Sequence, residues 1–301
     1  MIQTIGRNQQ LLRDFVSEVV ACHHKRQNRS DLYVYDDGWD RFTAYSPRRL
    51  DSVVLKPGEK EHLLEDVKRF LASRERYRRL GVPYHRGYLF YGPPGTGKTS
   101  LVSALAAKFG MSVYVVNLSE MNDRTLKAAM NWVDPHSVIL FEDIDCMKGT
   151  ARRLETKNAS RGEGEDGDRK SSPSSNSPGG VSLSGLLNVL DGFSAPDSVV
   201  YVMTTNDVTV LDPALLRPGR IDYKLYLGEA CESQKVELYR RFFPEASFAD
   251  VQVFAQAHWA DTMAEFQGLL LTLESKSRGP HQVSAPEPAL PGAELVSVRT
   301  V

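Results

Sequence analysis

Eight consecutive residues, Gly92-Pro93-Pro94-Gly95-Thr96-Gly97-Lys98-Thr99, are the part of this chain best suited to chemistry. They fit the pattern G-x-x-x-x-G-K-[ST]. Glycines let the backbone curl so that successive N–H groups point at one anion, and a helix starting after the loop adds the partial positive charge of its N-terminus. Lys98 can then reach the β- and γ-phosphates of a nucleoside triphosphate, and the Thr99 hydroxyl can ligate Mg²⁺. The bland alternative is a glycine-rich surface turn. The flanks argue against it, because a short apolar strand (Gly87–Tyr91) precedes the loop and a helical segment follows. The expected ligands are ATP and Mg²⁺.

Phosphoryl chemistry also needs a carboxylate near the metal. Val138-Ile139-Leu140-Phe141 reads as a buried strand that ends in Glu142-Asp143-Ile144-Asp145. Three carboxylates at a strand end are costly unless cations or water are at hand. Glu142 is assigned to the Mg²⁺ shell and Asp143 to the attacking water, with Asp145 close by. A further apolar run, Val199 to Met203, ends in Thr204-Thr205-Asn206. Parallel sheets deliver strand C-termini to one edge, so Asn206 is placed to hydrogen-bond the attacking water or the γ-phosphate. Arg217 and Arg220 follow in a loop held by proline and glycine. A guanidinium placed against a γ-phosphate is worth about 10³–10⁵ in rate. A solvated strand end, a turn-forming asparagine and solubilising arginines are the structural alternatives. The phosphate loop upstream weighs against all three.

The elements that must hold these residues alternate along the chain. Strands are expected at Gly87–Tyr91, Ser112–Asn117, Ser137–Phe141, Ser198–Thr204 and Ile221–Tyr226, and helices at 98–109, 123–133 and 182–190. That order predicts an α/β fold with a parallel sheet covered on both faces. A helix from residue 59 should stop by Gly81-Val82-Pro83. Upstream, residues 10–20 read as an amphipathic helix, Leu32–Tyr35 and Trp39–Tyr45 as a hairpin, and Leu50–Leu55 as a further strand. Residues 1–56 therefore form a small α+β unit. The large domain spans 57–228, with a disordered insertion at 150–180 rich in Gly, Ser, Pro and charge. Residues 229–275 regain apolar helical periodicity and predict a small helical lid. The tail, 276–301, is expected to be disordered.

Composition narrows the class. Lys plus Arg total 37 against 38 Asp plus Glu, a net charge of −1, whereas a dedicated nucleic-acid binder carries a basic excess. Cys22, Cys146 and Cys231 are scattered and imply neither zinc nor a disulfide framework. No apolar run approaches the roughly 20 residues a membrane helix needs. The N-terminus lacks a signal-peptide pattern, so the chain as written reads as cytoplasmic.

GPPGTGKT, ILFEDID, LLNVLDG, VMTTN and LDPALLRPGRID occur in this order, and over about residues 50–275 the chain resembles an AAA-type ATPase module. The resemblance implies a P-loop α/β domain followed by a helical lid. It also implies a homo-oligomeric ring of about six or seven subunits, in closed symmetry. Arg217 and Arg220 would then act in trans on the neighbour's nucleotide. A narrower resemblance rests on TIGRNQQLL, the hairpin, SPRRLDSVVL and GVPYHRGYLFYGPPGTGKT. These are similar to the Bcs-type AAA family of mitochondrial assembly chaperones, in which residues resembling 1–55 belong to a family-specific domain. Glu142-Asp143 matches that family, whereas most AAA modules have Asp-Glu there; the swap leaves open which carboxylate is the base. Asn117-Leu118-Ser119-Glu120-Met121-Asn122 lacks the aromatic of a threading pore loop, so whole-ring motion is favoured over threading. Mitochondrial members carry a membrane helix before the matched segment. This chain starts after it, as a soluble relative or an N-terminally truncated one.

The leading function is thus Mg²⁺-dependent ATP hydrolysis driving protein remodelling or translocation, with an unnamed protein client and no nucleic acid. A clamp-loader-like ATPase and a nucleotide-gated scaffold without turnover are the alternatives. DNA-stimulated activity would favour the first, and tight ATP binding at zero turnover the second.

Overall fold

The computed structural model describes residues 30–147 and 180–277, except 44, 192–195, 197 and 259–260. The helix expected at 10–20, the 150–180 insertion apart from its last residue, and the tail beyond 277 lie outside the described residues.

Seven strands alternate with helices: β1 (Leu32–Tyr35), β2 (Trp39–Arg41), β3 (His85–Tyr91), β4 (Ser112–Val116), β5 (Ser137–Phe141), β6 (Val199–Thr205) and β7 (Tyr223–Tyr226). They form one sheet in the order β2-β1-β4-β5-β6-β3-β7, parallel except for the β1–β2 hairpin. Every residue of β5 and β6 is buried, which is why these strands read as continuous apolar runs. On one face pack α1 (Glu59–Leu71), through Leu63, Val67 and Phe70, and α3 (Lys98–Phe109), through Leu101, Val102 and Leu105. On the other pack α4 (Asp123–Met130), through Leu126 and Met130, and α5 (Leu183–Asp191), through Leu186 and Leu190. The expected α/β fold with both faces covered is present.

Upstream of β3 the picture departs from the local pattern. The helix from 59 breaks at Ala72-Ser73 and resumes as α2 (Arg74–Leu80), which Gly81 ends in a left-handed cap at φ 65°. At the break the Ser73 hydroxyl donates to the Arg69 carbonyl (2.5 Å), offering the backbone an alternative to the helical ladder. Leu50–Leu55 is not a strand. Leu50–Ser52 is a 3-10 turn, closed by Ser52 N–H and Oγ donating to the Arg49 carbonyl at 2.9 and 2.6 Å. Leu50, Val53, Val54 and Leu55 are all buried, while the local Ser52 bonds to Arg49 take the backbone out of the extended conformation. The hairpin is shorter than Trp39–Tyr45, and it joins the sheet of the large domain. β1 pairs with β4, Tyr33 stacks on Tyr114 (centroids 4.6 Å), and Trp39 Nε1 donates to the Ala129 carbonyl (2.9 Å).

One half-buried polar cluster ties α1 to β3. The Arg86 guanidinium donates to both Asp66 carboxylate oxygens at 2.7 Å, and the Tyr88 hydroxyl adds a third bond (2.8 Å). Burial works against the Arg86 charge, but the Asp66 carboxylate more than offsets it and holds the pKa above the ordinary value. Removing one partner of such a pair leaves an uncompensated charge. Asp66→Ala should therefore cost about 3 kcal/mol, seen as a lower urea midpoint with an unchanged m-value.

Downstream of the sheet, α6 (Glu232–Phe242), α7 (Phe248–Ala257) and α8 (Met263–Ser277) pack around Leu238, Phe266 and Leu270. Among the described residues no helix is long and apolar enough to cross a membrane.

Candidate active site

The strand order explains how residues far apart in sequence meet. β6 lies between β3 and β5, with Tyr91 opposite Thr205 and Phe141 opposite Met203. The residues just past those strand ends, Gly92, Asn206 and Glu142, therefore emerge side by side, on strands about 4.8 Å apart. Gly92 has φ 139°, and a Cβ there would lie 2.0 Å from the Leu227 carbonyl oxygen, so no other residue fits. Gly97 caps α3 at φ 93°, which directs the chain from the loop into the helix. The loop itself is braced by the Thr96 hydroxyl on the Pro93 carbonyl (2.9 Å), while Pro94 and Gly95 form an exposed tip.

Lys98 is buried, and its ammonium donates to three oxygens: the Gly92 carbonyl (2.7 Å), the Pro93 carbonyl (2.9 Å) and Asn206 Oδ1 (2.8 Å). Burial lowers its pKa, and the carboxylates of Asp143 and Asp145 work in the opposite direction. The Asn206 amide in turn donates to Asp143 Oδ1 at 3.4 Å. One asparagine thus touches both the loop lysine and the carboxylate. The Thr99 hydroxyl donates to Glu142 Oε1 (2.9 Å). Asp143 sits in the left-handed region at φ 45°, a conformation uncommon outside glycine, asparagine and aspartate. Its N–H is held by the hydroxyl of buried Thr204 at 3.2 Å. Asp145 Oδ1 is buried with no hydrogen-bond partner among the described residues.

The two arginines part company. Arg220 is fastened within its own chain: Nε donates to Asp191 Oδ2 (2.8 Å), Nη2 binds the same oxygen, and Nη1 donates to the Ala214 carbonyl (2.6 Å). The Asp191 carboxylate raises the Arg220 pKa. Arg217 is exposed, and among the described residues its guanidinium makes no ion pair. Both arginines were read as one unit from sequence. The geometry instead gives Arg220 a partner at the end of α5, in the LLNVLDG motif, where no role had been assigned.

Four other contributors escaped the sequence reading. Thr204 sat inside the quoted VMTTN, yet nothing marked its hydroxyl as a partner of Asp143. Gln234 on α6 donates its amide to the Val54 carbonyl (3.0 Å) while its Oε1 accepts from Cys231 N–H (3.1 Å). Thr262 and Ala264, at the start of α8, reach the tip of the loop: Ala264 N–H donates to the Gly95 carbonyl at 3.2 Å. A crevice beside the loop is lined by Val54, Thr96, Leu227, Gln234 and Met263. In the segment 117–122 two side chains point inward while Asn117, Ser119, Glu120 and Asn122 are exposed. Leu118 and Met121 are buried, and Asn122 caps α4 through Thr125 N–H (2.9 Å).

These residues fit a magnesium nucleotide. The glycine cradle has no room for a Cβ at Gly92, and Lys98 and Thr99 lie within bonding reach of Asn206 and Glu142. No group of three or more His, Cys, Asp or Glu that could hold a metal occurs among the described residues. Mg²⁺ is bound through one or two protein groups plus substrate phosphates, and Thr99 and Glu142 are the groups that would supply them here.

Residues 88–229 match the family described as "ATPase family associated with various cellular activities (AAA)". The chain is 34% identical over 284 residues to the mitochondrial chaperone BCS1 of Danio rerio, covering 91% of this chain and 64% of that protein. It is 35% identical over 281 residues to the probable mitochondrial chaperone bcs1 of Schizosaccharomyces pombe, with 91% and 58% covered. With the probable mitochondrial chaperone BCS1-A of Dictyostelium discoideum the figures are 32% over 279 residues, 90% and 63%. The chain thus spans about three-fifths of the length of these relatives. The arginine loop lies at the other end of β3, where the Asp222 N–H donates to the Gly87 carbonyl and the His85 ring meets the Gly219 carbonyl. The P-loop, two carboxylates and an asparagine converge on one sheet edge within residues 88–229, which are an AAA domain, and along nine-tenths of its length the chain is similar to Bcs-type chaperones.

Proposed function

We propose that this protein is a Mg²⁺-dependent ATPase that acts as a homo-oligomeric ring and remodels or translocates a protein client. The observation that carries the reading is the network Lys98–Asn206–Asp143, set beside the Thr99–Glu142 pair. Residues 92–99 hold the triphosphate, and Thr99 with Glu142 would hold Mg²⁺, which would supply charge neutralisation on the phosphates. Lys98 exchanges its loop carbonyls for phosphate oxygens. Asn206 orients a water, and the Asp143 carboxylate takes its proton as the water oxygen bonds to the γ-phosphorus. The bond from that phosphorus to the bridging oxygen breaks, giving ADP and phosphate. Preorganised groups in a partly dry site are the main source of rate in such reactions.

The two carboxylates separate by experiment. Asp143→Asn should retain bound ATP while turnover falls about 10²–10³-fold, the typical loss of one positioned proton-transfer group or donor. Glu142→Gln should chiefly raise the Mg²⁺ concentration needed for half-maximal rate. The opposite pattern, read by Mg²⁺ titration of the steady-state rate and by filter binding of ATP, would exchange the roles.

The ring reading is supported by the exposed Arg217, a charge that can complete a neighbour's site. Arg220 is then a positioning residue, holding the arginine loop on Asp191. Residues 229–275 act as the lid, with its α8 end on Gly95. The inward Leu118 and Met121 favour motion of the whole ring over gripping an unfolded chain at the axis. Client remodelling is inferred from the relatives, whose names describe mitochondrial chaperones. A cytoplasmic and a mitochondrial site of action are distinguished by fractionation. Particle mass with and without ATP and Mg²⁺ tests the assembly; a monomer under every condition defeats it.

A further inference from the structure

The lid contains a charge that the reaction does not use. Lys235, on α6, is 1% exposed. Its ammonium donates to the carbonyl of His258, the residue that ends α7, and lies 5.9 Å from the centre of the Phe266 ring. Burial pushes its pKa down, against the pull of Asp261 and Glu229. For stability alone the position suits methionine, since replacing a buried charge by an apolar side chain of similar volume is often neutral or stabilising. What the lysine does instead is cap a helix C-terminus from inside the lid, where the carbonyls and the helix dipole favour a cation.

The carbonyl it holds starts the turn into α8. Asp261 N–H donates to the same His258 oxygen (3.3 Å), the Asp261 carbonyl accepts from Ala230 N–H (3.3 Å), and His258 Nδ1 faces Asp261 Oδ2 at 3.1 Å. Thr262 then caps α8, its N–H and hydroxyl on Glu265 Oε2 at 2.8 and 2.9 Å. Two residues on, Ala264 N–H meets the Gly95 carbonyl (3.2 Å), and a Cβ on Gly95 would approach Thr262 Oγ1 to 3.3 Å. The preceding residue, Gln234, anchors the same helix to Val54 (3.0 Å). So α6 carries two consecutive buried polar residues, one tied to the segment before α1 and the other to the turn that rests on the phosphate loop.

We propose that Lys235 is the positioning residue that couples the lid to the phosphate loop: by capping α7 it sets the turn that seats α8 on Gly95, so that nucleotide at the loop and order in the lid are linked. The proposal rests on reading 92–99 as an ATP site. The test is hydrogen exchange of the full chain with and without ATP and Mg²⁺, together with ATP affinity from a fluorescent analogue. In the wild type, nucleotide should slow exchange both at 92–99 and at 261–266. Lys235→Met should keep the protection at 92–99, lose it at 261–266 and weaken ATP about tenfold, a usual size for coupling between sites. Lys235→Arg, which keeps a cation at the cap, should recover part of both. Thr262→Ala cuts the same link at its far end, leaves the buried core alone, and should reproduce the loss. Unchanged lid protection and unchanged affinity in Lys235→Met and Thr262→Ala overturn the proposal. An absence of nucleotide protection at 92–99 in the wild type overturns the ATP reading instead.

Discussion

Lys98→Ala should lower kcat/KM for ATP by about 10²–10³-fold, the usual loss when one preorganised donor is removed from a reacting site. The side chain has two properties that make the effect large. It is buried, so water does not replace the missing charge, and its three partners are the loop's own carbonyls and Asn206. Removing it takes away the phosphate contact and also releases Asn206, which touches Asp143 on its other side. Lys98→Arg should rescue little, because a planar guanidinium cannot satisfy three converging oxygens as a rotating ammonium does. The check is a coupled ADP-release assay, with melting temperature as the control for folding. Unchanged kinetics in a folded variant would remove the loop from the active site.

Arg217→Ala should reduce kcat by about 10³-fold or more, as the loss of an arginine acting in trans does, while the Kd for ATP stays within about twofold because the ground-state contacts lie elsewhere. Arg220→Ala should be milder in kcat, since that side chain is held by Asp191 and the Ala214 carbonyl within its own chain. The assembly prediction is sharper than either single variant. Arg217→Ala carries an intact site and no donor arginine, whereas Asp143→Asn carries an intact arginine and a dead site. Mixed together, they should regain activity at those interfaces where the first supplies the nucleotide and the second the arginine. Measured against mixing ratio, turnover should peak at intermediate composition. A flat line at the sum of the two parents would place Arg217 in its own subunit's chemistry or outside it.

Much of the site was legible because its residues sit just past strands that announce themselves. Tyr91, Phe141 and Thr205 end runs with strand propensity, and a parallel sheet sends all such ends to one side. Parallel strands put the ends of β3, β5 and β6 on one edge, but the order β5-β6-β3 that brings Lys98 to Asn206 and Thr99 to Glu142 came from the tertiary structure. The helices after β7 were legible through the helical spacing of Val236, Tyr239 and Phe243. What was not legible depends on single long-range bonds. Nothing local marks Asp191 as the partner of Arg220, 29 residues away, or Val54 as the acceptor for Gln234, 180 residues away. Leu50–Leu55 looked like a strand because most of its residues are apolar, but Leu50–Ser52 closes on the Arg49 carbonyl as a 3-10 turn through the Ser52 N–H and hydroxyl. The hairpin read as part of a separate unit, whereas the stacking of Tyr33 on Tyr114 and the bond from Trp39 to Ala129 place it on the edge of the main sheet.

The sequence by itself determined which residues are available for chemistry: a glycine-rich loop carrying lysine and threonine, a pair of carboxylates at the end of a buried strand, and a guanidinium in a turn held by proline and glycine. Those are properties of residue types at short spacing, where backbone geometry leaves few options. The tertiary structure decided which of the two arginines is fastened and which is exposed, how α8 reaches the loop, and where the hairpin belongs. Those outcomes turn on partners far away in the chain, and a hydrogen bond between distant groups exists only after the elements that carry them have packed.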